Sequence, residues 1–257
     1  MKITLLCENE VCDMHWLAEW GFSAFIEHNG RRILFDTGFS DVYRHNAARA
    51  GIDLESADFV ALSHFHNDHT GGLRHHGFQR RKKILMHPRV LEELQDPASK
   101  SFKAQYREIH AILQRDFEVI PAKDALEFSK DAFFLGQIPR RNNFEAGAFD
   151  GDAMEDDTAL AFRTDKGAVV VAGCSHAGIC NICEHAKQVT GQPLYAVIGG
   201  FHLLAEDNPP LDETIAYFKA EAPEVLLPMH CVDFAAKVAF HNVFGSPKYA
   251  AGDVIEV

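Results

Sequence analysis

The chain has 257 residues, with 25 Lys and Arg against 37 Asp and Glu, and a formal charge of −12 with histidine neutral. Its content of 47% hydrophobic and 24% charged residues is that of a globular protein long enough to bury a core without staples, which excludes disorder, a collagen repeat and a small disulfide scaffold. The acidic balance argues against broad binding to nucleic acid or an anionic membrane, and the 15 histidines are the feature that needs an explanation.

In chain order, Met1 to Glu8 reads as a first strand, because its apolar core is too short for a signal peptide. Ser23–Glu27 and Arg32–Phe35 flank Asn29-Gly30, the sequence of a tight hairpin, and the second run ends at Asp36-Thr37-Gly38. Residues 40–50 read as a helix. Phe59–Ser63 reads as a buried strand that stops at His64, and Ile84–Met86 as one that stops at His87-Pro88. Between them, Arg80-Arg81-Lys82-Lys83 reads as a solvated turn. Helices are expected over 88–95 and 99–114, the second with Phe102, Tyr106, Ile109 and Leu113 at helical spacing. Residues 139–157 are polar and aperiodic and read as a functional loop.

The second half repeats the theme. Ala159–Phe162 and Ala168–Ala172 flank Lys166-Gly167 as another hairpin, and Gly173-Cys174-Ser175-His176 leads to a helix over 178–190. Tyr195–Ile198 runs into Gly199-Gly200-Phe201-His202. A helix over 211–221 precedes Val225–Leu227 and Pro228-Met229-His230. A last helix over 232–244 ends at Gly245, and Val254–Val257 closes the chain as a strand. No linker divides the halves. The expectation is one α/β domain spanning residues 1–257, with two sheets and helices outside them. Cys180 and Cys183 share a helix face without a second pair at zinc-ribbon spacing and read as packing residues. Six cysteines without an export signal suggest reduced thiols in the cytoplasm. No apolar run is long enough to span a membrane.

The strongest signal is Ser63-His64-Phe65-His66-Asn67-Asp68-His69-Thr70-Gly71-Gly72. Three histidines and a carboxylate fall within six residues straight after a buried strand. Imidazole suits divalent transition metals and a carboxylate compensates charge, so His64 and His66 can reach one ion and Asp68 and His69 a second. Gly71 and Gly72 are expected to let the chain turn tightly. His176, His202 and His230 each sit where an apolar strand stops. The other nine histidines (15, 28, 45, 75, 76, 87, 110, 185 and 241) have no assigned role.

The H-x-H-x-D-H loop followed by Gly-Gly resembles the signature of the metallo-β-lactamase fold superfamily, and Asp36-Thr37-Gly38 resembles its upstream support. Gly173-Cys174-Ser175-His176-Ala177-Gly178, Gly199-Gly200-Phe201-His202-Leu203, His230-Cys231, Ile138-Pro139-Arg140 and Asp156-Asp157-Thr158-Ala159-Leu160 are similar to the subgroup related to 7,8-dihydropterin-6-methyl-4-(β-D-ribofuranosyl)aminobenzene 5'-phosphate synthase. The resemblance implies an αβ/βα four-layer sandwich with one or two divalent ions, zinc first and manganese or iron as alternatives. It implies His64, His66, Asp68, His69, His176 and His230 as metal ligands, with Cys174 as a further candidate where most members place a bridging Asp. Whether Cys174, His176 or neither bridges the metals stays open. Asp68 and His202 are the catalytic candidates, with the roles of His202 and His230 interchangeable at this level. Arg140 and Arg141 are candidate anion contacts together with His202. Trp20 stands where the subgroup leads one to expect a histidine.

The expected activity is metal-dependent hydrolysis or group transfer through metal-activated water, on a small phosphorylated or pterin-like molecule. The alternatives are a phosphodiesterase or nuclease, then a lactone or thioester hydrolase, then a non-catalytic metal or redox sensor. The expected partner is a small-molecule substrate rather than nucleic acid or membrane, and the sequence does not specify an oligomeric state.

Overall fold

The computed structural model describes residues 1–96, 102–145, 152–205 and 210–257. The start of the helix expected over 99–114 and the middle of the 139–157 loop lie outside these residues. The chain divides into two compact units, Met1–Lys123 with Ala250–Val257, and Asp124–Tyr249.

The first unit is built on a seven-stranded sheet. It comprises β1 (Lys2–Cys7), β2 (Ser23–His28), β3 (Arg31–Phe35), β4 (Phe59–Ala61), β5 (Lys82–Met86), β6 (Phe117–Pro121) and the C-terminal β13 (Val254–Glu256), in the order β13-β1-β2-β3-β4-β5-β6. The hairpin at Asn29-Gly30 forms as expected, with φ of 47° and 74° at the two turn residues, which is what a turn that follows strand twist requires. From β3 onward the pairs are parallel, so the C-terminal ends of β3 and β4 lie at one sheet edge. The helices are α1 (Val42–Arg49), the single turn α2 (Asn67–Thr70), α3 (Pro88–Gln95) and α4 (Lys103–Asp116). His87, given no role from the sequence, caps α3 by accepting the Arg89 N–H, and Pro88 follows at the first helical position.

The second unit holds β7 (Leu126–Ser129), β8 (Ala132–Phe134), β9 (Ala159–Thr164), β10 (Gly167–Ala172), β11 (Leu194–Gly200) and β12 (Val225–Met229), in the order β12-β11-β10-β9-β8-β7. Strand β10, Gly-Ala-Val-Val-Val-Ala, is buried at every position, as a central strand covered on both faces must be. Strands β10, β11 and β12 are parallel, so their three C-terminal ends share one edge. The helices are α5 (Ile179–Thr190), α6 (Leu211–Glu221) and α7 (Phe234–Phe244), the last ending at left-handed Gly245.

Phe201, Phe218 and Phe240 meet ring to ring at 5.7 to 6.1 Å. This fixes the segment that carries His202 against α6 and α7. Cys180 and Cys183 belong to the same buried cluster as free thiols, and burial raises the pKa of each. Among the described residues no helix is long and apolar enough to cross a membrane. Strands β6, β7 and β8 are not foreseen by the sequence. β6 follows α4 with no intervening turn residue, and β7 and β8 join through Asp131, a non-glycine residue at φ 59°.

Candidate functional site

In the first unit, the loop after β4 is tied to the end of β3 by one buried carboxylate. Asp36 follows β3 directly, is fully buried, and takes a left-handed φ of 53°. Its Oδ1 accepts the Ser63 N–H at 2.8 Å, and its Oδ2 accepts both the Ser63 hydroxyl at 2.7 Å and His69 Nδ1–H at 2.7 Å. The Ser63 proton is thereby spent on Asp36, so Ser63 Oγ accepts from His64 Nδ1–H at 2.8 Å. Two imidazoles are held in the same tautomer by one carboxylate and one hydroxyl. The nitrogen left available to a ligand is therefore Nε2, and such a carboxylate–histidine contact fixes ring orientation and raises basicity at that nitrogen.

The donors are close together. His64 and His66 offer ligand atoms within 4.8 Å of each other, as do Asp68 and His69. His69 Nε2 lies 3.6 Å from Asp68 Oδ2. The rings of His64 and His66 are 4.7 Å apart, and those of His64 and His69 are 4.2 Å apart. Helix α2 supplies the turn: Asp68 and His69 lie on it, with the His69 and Thr70 N–H groups both donating to the His66 carbonyl.

Gly71 and Gly72 do not serve the purpose the sequence suggests. Neither has a positive φ. A Cβ on Gly72 would run into the Thr37 carbonyl, and one on Gly71 into the Phe39 carbonyl. Close approach of backbone to backbone, sealed by Gly72 N–H to Gly38 O at 3.0 Å, is what demands glycine here.

In the second unit, the donors come from strand ends rather than from one loop. Ser175, His202 and His230 follow β10, β11 and β12, and all three take left-handed φ, at 62°, 51° and 50°. Non-glycine residues in this region are held there by their surroundings, and such positions cluster at functional sites. The holding contacts run from strand to strand. Ser175 Oγ donates to Gly200 O at 2.6 Å, and Gly200 N–H donates to Gly173 O at 3.0 Å. Cys231 Sγ donates to Cys174 O at 3.2 Å and accepts the His202 N–H at 3.3 Å. Cys174 and His230 offer ligand atoms within 4.8 Å of each other, and both are buried. The His176 and His202 rings are 4.3 Å apart.

Asp157 is a positioning residue for this edge that the sequence did not single out by role. It precedes β9, is fully buried, and accepts the Ala177 N–H at 2.9 Å, which holds the turn that carries His176. Burial pushes its pKa up to about 7, against the backbone N–H groups of Ala177 and His176 and the positive charge of His202 and Arg140. Its only sequence signal is its place in Asp156-Asp157-Thr158, 20 residues before its partner.

Glu145 plays a similar part for α5. Its carboxylate accepts the Cys180 and Asn181 N–H groups at the helix start, and burial raises its pKa. Arg140 donates to the carbonyls of Ala153 and Met154, so much of its guanidinium is spent on the chain; the Arg141 side chain is exposed.

The donor chemistry suits a divalent ion: imidazoles, two of them oriented by hydrogen bonds at Nδ1, a carboxylate beside them, and a buried thiol in the second set.

Comparisons with known proteins agree. The model of the metallo-beta-lactamase superfamily matches residues 21–180. The chain is 31% identical over 246 residues to the 7,8-dihydropterin-6-methyl-4-(beta-D-ribofuranosyl)-aminobenzene-5'-phosphate synthase of Methanocaldococcus jannaschii, covering 85% of this chain and 82% of that protein. It is 30% identical over 227 residues to the uncharacterized protein MJ0448 of the same organism, covering 86% and 87%. Among solved structures, Tm1679, a metal-dependent hydrolase of the β-lactamase superfamily, matches with a TM-score of 0.81 and 28% identity, covering 100% of this chain and 99% of that one. The chain belongs to the metallo-β-lactamase superfamily and has its fold, and members of that superfamily are metal-dependent hydrolases that bind one or two divalent metals.

Proposed function

We propose that this protein is a metal-dependent hydrolase or transferase that uses activated water on a small phosphorylated or pterin-like substrate. The observation that carries this reading is the loop from His64 to His69. It holds four donors, His64, His66, Asp68 and His69, and two of its rings are set by Asp36 and Ser63. His64, His66, Asp68, His69, His176 and His230 are the proposed ligands of one or two divalent ions, zinc first, with Cys174 as a further donor. A divalent ion held by these donors would lower the pKa of a bound water toward neutrality and polarise a phosphoryl or carbonyl oxygen.

The chain's own residues do the rest. Asp68 orients the attacking water. His202 gives a proton to the leaving-group oxygen. Asp36 and Ser63 keep His64 and His69 from rotating, and Asp157 keeps the His176 turn in place. Arg141 is the anion contact, with Arg140 bracing the adjoining loop. The synthase relative and the −12 charge both support a small substrate over a large nucleic acid. Free thiols at all six cysteines support a reducing, cytoplasmic setting.

The test is turnover of metal-loaded protein on bis-p-nitrophenyl phosphate, an acyl-homoserine lactone and a thioester, alongside His66→Ala and His202→Ala. Phosphoester turnover that vanishes in both variants, with metal lost only from His66→Ala, is the expected result. Turnover confined to the lactone or thioester overturns the substrate assignment. Loss of metal from His202→Ala as complete as from His66→Ala overturns the division of roles.

A further inference from the structure

The turn that carries His176 has left-handed backbone at both ends. Ser175 stands at φ 62° and Gly178 at φ 94°, and the turn closes through Gly178 N–H to Ser175 O at 2.9 Å. A Cβ on Gly178 would run into the Glu145 carboxylate. A non-glycine residue such as Ser175 persists in this region only where its surroundings hold it.

The loop over 139–157 reaches this turn from both of its ends. At its downstream end, Asp157 accepts the Ala177 N–H at 2.9 Å, and Asp157 N–H donates to Met154 O at 3.2 Å. At its upstream end the link is Asn181, which is buried. Its amide nitrogen donates to Ala177 O at 3.0 Å, and its Oδ1 accepts the Arg141 and Asn142 N–H groups at 2.8 and 3.2 Å. Glu145 locks the same end, accepting the Cys180 and Asn181 N–H groups at 2.8 and 2.9 Å and the Asn142 side-chain amide at 2.5 Å. The N–H and the carbonyl of Ala177, the residue after His176, are thus tied to opposite ends of one loop. Arg140 joins those ends to each other by donating to the carbonyls of Ala153 and Met154. The path from Arg140 through Met154, Asp157, Ala177, Asn181 and Arg141 closes on itself.

We propose that the two ends of this loop form a hydrogen-bonded collar on the His176 turn, with Arg140 as its clasp, so that Arg140 and Asn181 are positioning residues for His176. A closed ring of such bonds is cooperative: opening it at any one member frees the rest. The collar gives Arg140 a task that needs no contact with substrate, although its charge marks it as an anion contact in the sequence. The proposal rests on the functional reading above, because it takes His176 as a working group of the site.

The experiment follows amide hydrogen exchange in the full-length protein by NMR, with Val170 and Val171 of β10 as internal controls. Arg140→Ala and Asn181→Ala are each expected to speed exchange of the Ala177 N–H about tenfold or more and to leave the β10 amides unchanged. Arg140→Lys, which keeps a charged donor, should recover most of the protection. The double variant should exchange about as fast as either single one, because the ring is already open. In metal-loaded enzyme acting on bis-p-nitrophenyl phosphate, Arg140→Ala should lower kcat and leave KM within about twofold. Unchanged Ala177 exchange in Arg140→Ala, equal acceleration at β10, or single effects that multiply in the double variant would each overturn the proposal. So would a rise in KM alone, the mark of a direct substrate contact. The exchange readout does not depend on bound metal. Faster Ala177 exchange in a protein that turns over no substrate would leave the collar standing while removing the hydrolase reading. Metal-dependent turnover with an unresponsive Ala177 would do the reverse.

Discussion

The two units supply the side chains of the candidate site in different ways. In the first, four donors lie within six consecutive residues on one turn, and their geometry is set by a carboxylate and a hydroxyl from neighbouring strand ends. In the second, Cys174, His176, His202 and His230 are spread over three parallel strand ends and are fixed by backbone conformation and strand-to-strand bonds. In one set hydrogen bonds reach two of the imidazoles directly, and in the other they hold the strand-end backbone that carries the side chains. The same chemistry can thus be prepared by a dense motif or by topology, and the two should fail differently when disturbed.

The largest contrast is expected at the glycines. A Cβ on Gly199 meets the Ala172 carbonyl at a φ of 123°, so Gly199→Ala carries both a clash and a backbone penalty. Gly72→Ala carries clashes with the Thr37 and Ser40 carbonyls but no backbone penalty. Urea unfolding should show losses of about 4 kcal/mol for the first and about 3 kcal/mol for the second. Equal losses would mean that backbone strain does not distinguish the two units.

Next in size is Asp36. In Asp36→Asn an amide nitrogen must face at least one of the three donors that the carboxylate accepts. Metal affinity, measured by competition with a chelator, should fall about 10- to 100-fold with the fold retained. An unchanged affinity would detach the Asp36–Ser63 pair from the donors.

Asp157 tests the second unit in the same currency. Asp157→Ala strands the buried Ala177 N–H and should cost about 1–3 kcal/mol, whereas Asp157→Asn keeps an oxygen there and should cost less than about 1 kcal/mol. Equal costs would mean that the bond to Ala177 is not what holds the His176 turn.

The smallest effect lies away from either donor set and calibrates the others. Hydrogen bonding to Arg115 lowers the Asp116 pKa to about 2, with His76 on its other side. A depressed carboxylate pKa stabilises the fold above the unfolded value near 4, and the gain is lost as pH falls through about 2. Asp116→Asn should therefore cost less than about 1 kcal/mol at pH 7, since the pair is exposed, and the two proteins should converge near pH 2. A difference that persists there would mean that packing, not charge, is responsible.

Most of the fold can be read from residue order. The Asn29-Gly30 hairpin, the buried run of β10 and the Gly245 helix stop each carry a local signal that the structure obeys. The edge strands β6 and β7, and β8 beside β7, are only three to five residues long and lack a glycine turn between them, so no strong local pattern marks them. At the candidate site, the donors themselves are legible because three histidines and an aspartate crowd one loop. What orients them is not. Asp36 and Ser63 are 27 residues apart, and Asp157 and Ala177 are 20 apart, distances bridged only by sheet pairing. The reason for Gly72 is equally hidden, since close approach to Thr37 leaves no trace in spacing.

The most direct test of the account is the metal content of purified protein after separate exposure to zinc, manganese and iron(II), read by elemental mass spectrometry. At least one ion per chain should be retained with at least one of these metals, lost in His66→Ala and kept in His202→Ala. Content near zero with all three metals would contradict the claim that these histidines form a metal centre.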